Sequence, residues 1–174
     1  LRALGGENVL YANSFTKKLL PALRIGFLVA TPDTKETLIG AKRIATLGNA
    51  MVLEEVLFEF LDRGYYDAHL ARLQEALDAR YRACLDALRA LMPPGVRFST
   101  PGGGPTLWLE LPEGTDPMRV RERLLRRGFE VEQTTDHFDG TPHLCGFRIS
   151  YAFLPEETMH RGLEALAQVL REES

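Results

Sequence analysis

One short run concentrates the groups able to do chemistry: Ser14-Phe15-Thr16-Lys17-Lys18-Leu19-Leu20-Pro21-Ala22-Leu23-Arg24-Ile25-Gly26. Two hydroxyls, two lysines and an arginine fall between Ser14 and Arg24. A polar surface loop is the bland reading. The flanks argue for more, because apolar strand-like runs on both sides would place these polar groups at a sheet edge. Unpaired there, each group costs about 1–3 kcal/mol. A bound anion would pair them. Ser14 and Thr16 can donate to a phosphate, and Arg24 can grip it with two parallel N–H bonds. An amine beside that phosphate can reach an aldehyde and form a Schiff base. Lys17 is placed for this, and Lys18 is its rival.

A second candidate is Gly146-Phe147-Arg148-Ile149-Ser150-Tyr151, where Arg148 interrupts an apolar strand run. Arg148 either points to solvent or grips a carboxylate. Other clusters carry less. Gly102-Gly103-Gly104 is followed by Pro105 and a strand, not by a helix N-terminus, so a tight turn is expected rather than a phosphate loop. His137, His143 and Cys145 lie near Asp136 and Asp139, but the spacing matches no standard zinc pattern. No metal is expected. Arg119, Arg121, Arg123, Arg126 and Arg127 make a basic helix broken by Glu122, with Val120, Leu124 and Leu125 toward a core. A solvated face is the expectation, and nucleic-acid contact the minor alternative.

The elements that must position these groups follow from periodicity and punctuation. Val9 to Phe15, after the turn signal Gly5-Gly6, and Ile25 to Ala30 read as buried strands. Pro21 stops any helix from running through the polar cluster. Thr31-Pro32-Asp33 opens a helix to about Leu47. From Ala50 to Leu91 the apolar spacing is helical, with a break near Gly64 and a stop at Pro93-Pro94-Gly95. Strands are expected near 96–99, 106–111, 129–133 and 147–152. Asp116 caps a helix from Pro117 to Arg127, and a last helix runs from Pro155 to Leu170. Such an alternation indicates an α/β layer protein.

The 174 residues are 45% hydrophobic and 26% charged, with a net charge of -3. This is an ordinary globular composition. The charge does not draw the whole chain to nucleic acid or to an anionic membrane. No apolar run approaches the length of a membrane span. Two cysteines, Cys84 and Cys145, make no disulfide framework, so a reduced, cytoplasmic setting is expected. The chain begins at Leu1 and reaches an apolar run within ten residues, so a cut from a longer chain is expected.

The run from Ser14 to Gly26 resembles the cofactor-lysine motif of fold-type I pyridoxal-phosphate (PLP) enzymes. That motif is typically Ser-Phe-Ser-Lys, a few residues, Pro-Gly-Leu-Arg, one residue, Gly. It is most similar to the subgroup of aminoadipate-type aminotransferases and the aminotransferase-like domains of GntR/MocR-type regulators. The resemblance implies that Lys17 is the cofactor lysine and that Ser14, Thr16 and Arg24 bind the cofactor phosphate. Thr16 keeps the hydroxyl of the usual Ser, whereas Ala22 stands where the motif has Gly. Arg148 falls on the Arg-apolar-Ser strand that holds the substrate α-carboxylate in the family. Gly103 to Pro112, and Leu154-Pro155-Glu156-Glu157 with Gly162 and Leu163, are similar in a more general way.

The resemblance implies a fold and a division: residues 1–48 as the end of a PLP-binding large domain, 49–92 as linking helices, and 93–174 as a small α/β sandwich. It implies amino-group transfer between an amino acid and a 2-oxo acid, in a homodimer. The alternative is an effector-sensing domain behind a winged-helix DNA-binding segment, with DNA a partner only then. The acidic partner of the cofactor ring nitrogen, a stacking aromatic ring and a phosphate-binding helix come, in the family, from before such a segment. Little transaminase activity is therefore expected of this segment alone.

Overall fold

The computed structural model describes residue 5 and residues 9–132 and 134–173. Gly6 of the expected first turn and Gln133 of an expected strand lie outside these. The chain divides into two compact units, Leu1–Arg72 and Leu73–Ser174, and the division falls inside one helix.

In the first unit, β1 (Tyr11–Ser14) and β2 (Gly26–Val29) form a two-stranded antiparallel sheet. The register pairs Tyr11 with Val29 and Ser14 with Gly26. Helix α1 (Pro32–Thr46) follows, with Thr31 as its N-cap: the Thr34 N–H donates to Thr31 Oγ1 at 3.4 Å, and Pro32 fills the first turn. Helices α2 (Met51–Asp62) and α3 (Tyr65–Leu91) are separated at Gly64, whose φ of 72° is one that a side chain would resist. Both strands were expected to be buried, and this is corrected. Leu10, Tyr11, Phe27, Leu28 and Val29 are exposed. Apolar character makes a strand, but burial needs covering layers, and a two-stranded sheet does not supply them. Of the apolar residues at helical spacing in α2, only Leu57 is buried.

The second unit holds the core. Strands β3 (Arg97–Phe98), β4 (Thr106–Glu110) and β5 (Gly146–Ser150) make an antiparallel sheet in the order β3-β4-β5. Alternation sorts its faces. Leu107, Leu109, Phe147 and Ile149 are buried against Cys84, Leu85 and Leu88 of α3 and against the last two helices. Those helices are α4 (Pro117–Arg126), contributing Val120 and Leu124, and α5 (Glu156–Glu173), contributing Leu163, Leu166 and Leu170. Asp116 caps α4 as expected, its Oδ1 accepting from the Met118 N–H at 2.9 Å.

Three further expectations are corrected here. Residues 129–132 pair with no strand among the described residues. Their polar backbone is used otherwise: the Phe129 N–H donates to the Leu124 carbonyl at 3.0 Å, and Arg121 Nε donates to the Val131 carbonyl at 3.0 Å. Leu125 was placed toward the core but is exposed, because the apolar stripe of α4 is only wide enough for Val120 and Leu124. The basic helix is not a freely solvated face. Arg123 and Arg127 reach Glu172 at 2.9 and 2.7 Å, Arg123 also pairs with Glu173, and Arg119 lies 3.6 Å from Glu173. Those carboxylates sit at the end of α5, adjacent in space but 45 to 50 positions further along the chain than Arg127 and Arg123, and so not apparent from α4 alone.

Candidate functional site

The polar cluster closes the β1–β2 sheet as a loop. Beyond the ladder, the Phe15 N–H donates to the Ile25 carbonyl at 3.0 Å. Within the loop the Leu19 N–H donates to the Phe15 carbonyl at 2.8 Å, which puts Thr16, Lys17 and Lys18 inside one tight turn. Pro21–Leu23 then forms a single 3-10 turn that ends at Arg24. Arg24 takes the left-handed conformation, with φ 53° and ψ 29°. That conformation is costly for a residue with a side chain, and strain of this kind gathers at ligand-holding loops. Ala22 sits inside the 3-10 turn, where alanine is at ease. The positive φ of this loop falls on Arg24, so the Gly-to-Ala departure does not disturb the turn.

Two contacts hold the turn in place. Phe15 packs its ring against Phe27 and Tyr66, with centroids 6.0 and 5.8 Å apart. His69 Nε2, from the second turn of α3, donates to the Lys18 carbonyl at 2.7 Å. At Gly26 a Cβ would come within 2.9 Å of the Asn13 carbonyl oxygen, so glycine permits the close strand approach that sets Ser14 opposite it. Ser14 and Thr16 are half-buried, and Lys17, Lys18 and Arg24 are exposed. Among the described residues, no hydrogen bond or ion pair engages the side chain of any of the five. A half-buried pair of hydroxyls, two amines and a guanidinium on one anchored loop make a donor set without acceptors. That set has the chemistry of a phosphate cup with an amine beside it.

Arg148 lies in the second unit, on β5, directly across from Trp108 of β4. Both point away from the core face. The Arg148 side chain is 48% exposed and forms an ion pair: its Nη2 lies 2.7 Å from Glu132 Oε1 and 2.5 Å from Oε2. Glu132 also lies 3.2 Å from His137 Nε2. The His137 and Phe138 rings stand edge-on to Trp108 at 5.7 and 5.9 Å, and His143 stands edge-on to Phe138 at 4.9 Å. The histidines of this loop thus take part in an aromatic cluster. The sequence reading missed Glu132. The available signal was a lone charge on each side of Val131 in an expected strand, with Arg148 as the complementary charge.

The model of the family described as aminotransferase class I and II matches residues 3–166. The chain belongs to that family. Among curated aminotransferases of the family, the 2-aminoadipate transaminase of Thermus thermophilus is 32% identical over 176 residues, covering 98% of this chain and 43% of that protein. The regulator TauR of Rhodobacter capsulatus, of the helix-turn-helix type, is 29% identical over 170 residues, covering 95% of this chain and 34% of its own. The crystal structure of the alpha-aminoadipate aminotransferase LysN of Thermus thermophilus, complexed with N-(5'-phosphopyridoxyl)-L-leucine, superposes with a TM-score of 0.90 at 31% identity. That match covers 98% of this chain and 44% of LysN. The chain thus spans less than half the length of these relatives.

Proposed function

We propose that this chain is the C-terminal part of a PLP-dependent aminotransferase that moves an amino group from an amino acid to a 2-oxo acid. The observation that carries the reading is the unpartnered hydroxyl–lysine–arginine set on the anchored β1–β2 loop. In this reading residues 1–48 end the large domain, 49–92 link, and 93–174 form the small domain. The protein works as a homodimer in the cytoplasm.

PLP, when bound, supplies an aldehyde and an electron-withdrawing ring. The Ser14 and Thr16 hydroxyls donate to its phosphate, and Arg24 grips the same group with a charge-assisted fork. Lys17 would be the amine beside the aldehyde, and its Nζ would carry protons to and from the substrate carbon. Arg148 holds the substrate α-carboxylate at two points, which fixes the angle of the Cα–H bond. Selectivity among side chains rests on other residues.

Borohydride reduction of the PLP-loaded protein, followed by peptide mapping, tests the reading. A pyridoxyl group on Lys17 is the expected result. Labelling of Lys18, or of neither lysine, refutes the assignment.

The kinship with TauR supports a second reading, an effector-sensing domain of a GntR/MocR-type regulator using the same cup. The reading frame preceding Leu1 discriminates: a basic winged-helix segment there favours the regulator, with DNA as a partner.

A further inference from the structure

The Arg148 guanidinium already holds a carboxylate. A guanidinium offers two forks for bidentate recognition, Nε with Nη2 and Nη1 with Nη2, and both use Nη2. In this structure Nη2 lies between the two oxygens of Glu132, at 2.7 and 2.5 Å. A second carboxylate brought to either fork meets the Glu132 charge at this shared nitrogen and competes with it.

Glu132 is presented to Arg148 by a built arrangement. Arg121 Nε donates to the Val131 carbonyl at 3.0 Å, and Arg121 Nη2 reaches Glu130 at 3.1 Å, so the 130–132 segment is tied to α4. His137 Nε2 stands 3.2 Å from Glu132 Oε2, the same oxygen that lies 2.5 Å from Arg148 Nη2. The pair is also cheap to open. Side-chain exposure is 48% for Arg148 and 51% for Glu132, so a displaced carboxylate returns to water without a burial penalty.

We propose that Glu132 is an internal stand-in for the substrate α-carboxylate: it pairs with the Arg148 guanidinium at Nη2 and gives way when substrate binds. This deepens the function proposed above and rests on Arg148 as the carboxylate anchor. Glu132 sets how tightly substrate is held and takes no part in the bond changes. A half-exposed pair of this kind weakens a competing carboxylate about two- to fivefold.

Trp108 provides the readout. It is the only tryptophan of the chain, it lies across the ladder from Arg148, and its ring touches that of His137. Its fluorescence should follow 3-phenylpropionate titrated into the 174-residue chain, and KM and kcat should be measured on the PLP-loaded full-length protein. Glu132→Gln is expected to tighten probe binding about two- to fivefold and to lower KM by the same factor with kcat unchanged. Glu132→Ala should act in the same direction. In an Arg148→Ala background, either substitution should do nothing further.

The two levels of the reading fail differently. Unchanged probe binding and KM in Arg148→Ala remove the carboxylate anchor itself, and the inference goes with it. Weakened binding in Arg148→Ala, with unchanged or weaker binding in both Glu132→Gln and Glu132→Ala, overturns the inference and leaves the anchor standing.

Discussion

Arg24 carries the largest single expectation at the residue scale. Its strained backbone aims a guanidinium from the end of the 3-10 turn, and no carboxylate of the described residues meets it. Arg24→Ala removes one charge-assisted phosphate contact, so PLP should be held about 1.5–3 kcal/mol less tightly. Equilibrium dialysis against PLP measures this. Cys84 makes an independent test. It has no solvent access, and burial pushes its thiol from 9.0 up to about 11. A raised acid keeps its proton in the folded chain after the unfolded chain has lost it. Its contribution to stability is therefore full below pH 9 and is lost as pH rises toward 11. The loss should reach about 2–3 kcal/mol. Urea unfolding of the wild type and of Cys84→Ala, at pH 8 and above pH 10, should show the larger fall in the former, since Cys145 and Tyr151 are shifted upward too and remain in both.

At the scale of elements, α4 and α5 are joined by two kinds of contact, and their magnitudes rank them. Val120 and Leu124 are buried, while Arg119, Arg123 and Arg127 pair with Glu172 and Glu173 near the surface. Leu124→Ala should cost about 2–5 kcal/mol, since it removes packed atoms and leaves a cavity. Glu172→Gln should cost about 1 kcal/mol or less, and the cost should shrink at high salt, because partly exposed pairs are screened. Denaturant titrations at low and high ionic strength separate the two. If Glu172→Gln cost more than Leu124→Ala, the helix pair would be held by charge, contrary to the packing. Asp116→Ala should fall between, at about 1 kcal/mol, through loss of the helix cap.

The whole molecule is uneven in what it buries. Among the described residues, apart from Leu57, every buried apolar side chain lies between Cys84 and Leu170, in the second unit. The first unit leaves Ile44, Leu47, Met51 and Val52 at least three-quarters exposed. Opening free energy follows local burial. Amide hydrogen exchange should therefore be slowest in β4, β5, α5 and the second half of α3, and fastest in α1 and the β1–β2 loop. Slowest exchange in α1 instead would contradict this ordering. No described helix is long and apolar enough to cross a membrane, so the exposed apolar residues of α1 and α2 do not add up to a span.

Local signals determined much of this protein. Thr31-Pro32, Gly64, Asp116-Pro117 and the Pro93-Pro94-Gly95 stop place helix ends within a residue or two, because caps and breakers act through their immediate neighbours. The loop from Ser14 to Arg24 was legible for the same reason: its chemistry and its turn lie in one short stretch. Tertiary structure decided what depended on distant partners. The apolar runs of β1 and β2 could not say whether another layer covers them, and among the described residues none buries them. Residues 129–132 had strand-like character, but Arg121 took the Val131 carbonyl that a ladder would have used. Arg148 was visible as a charge in an apolar strand. Only the folded second unit showed that Glu132 pairs with its guanidinium, since a separation of sixteen positions in the chain says nothing about which side chains will face each other across a sheet edge.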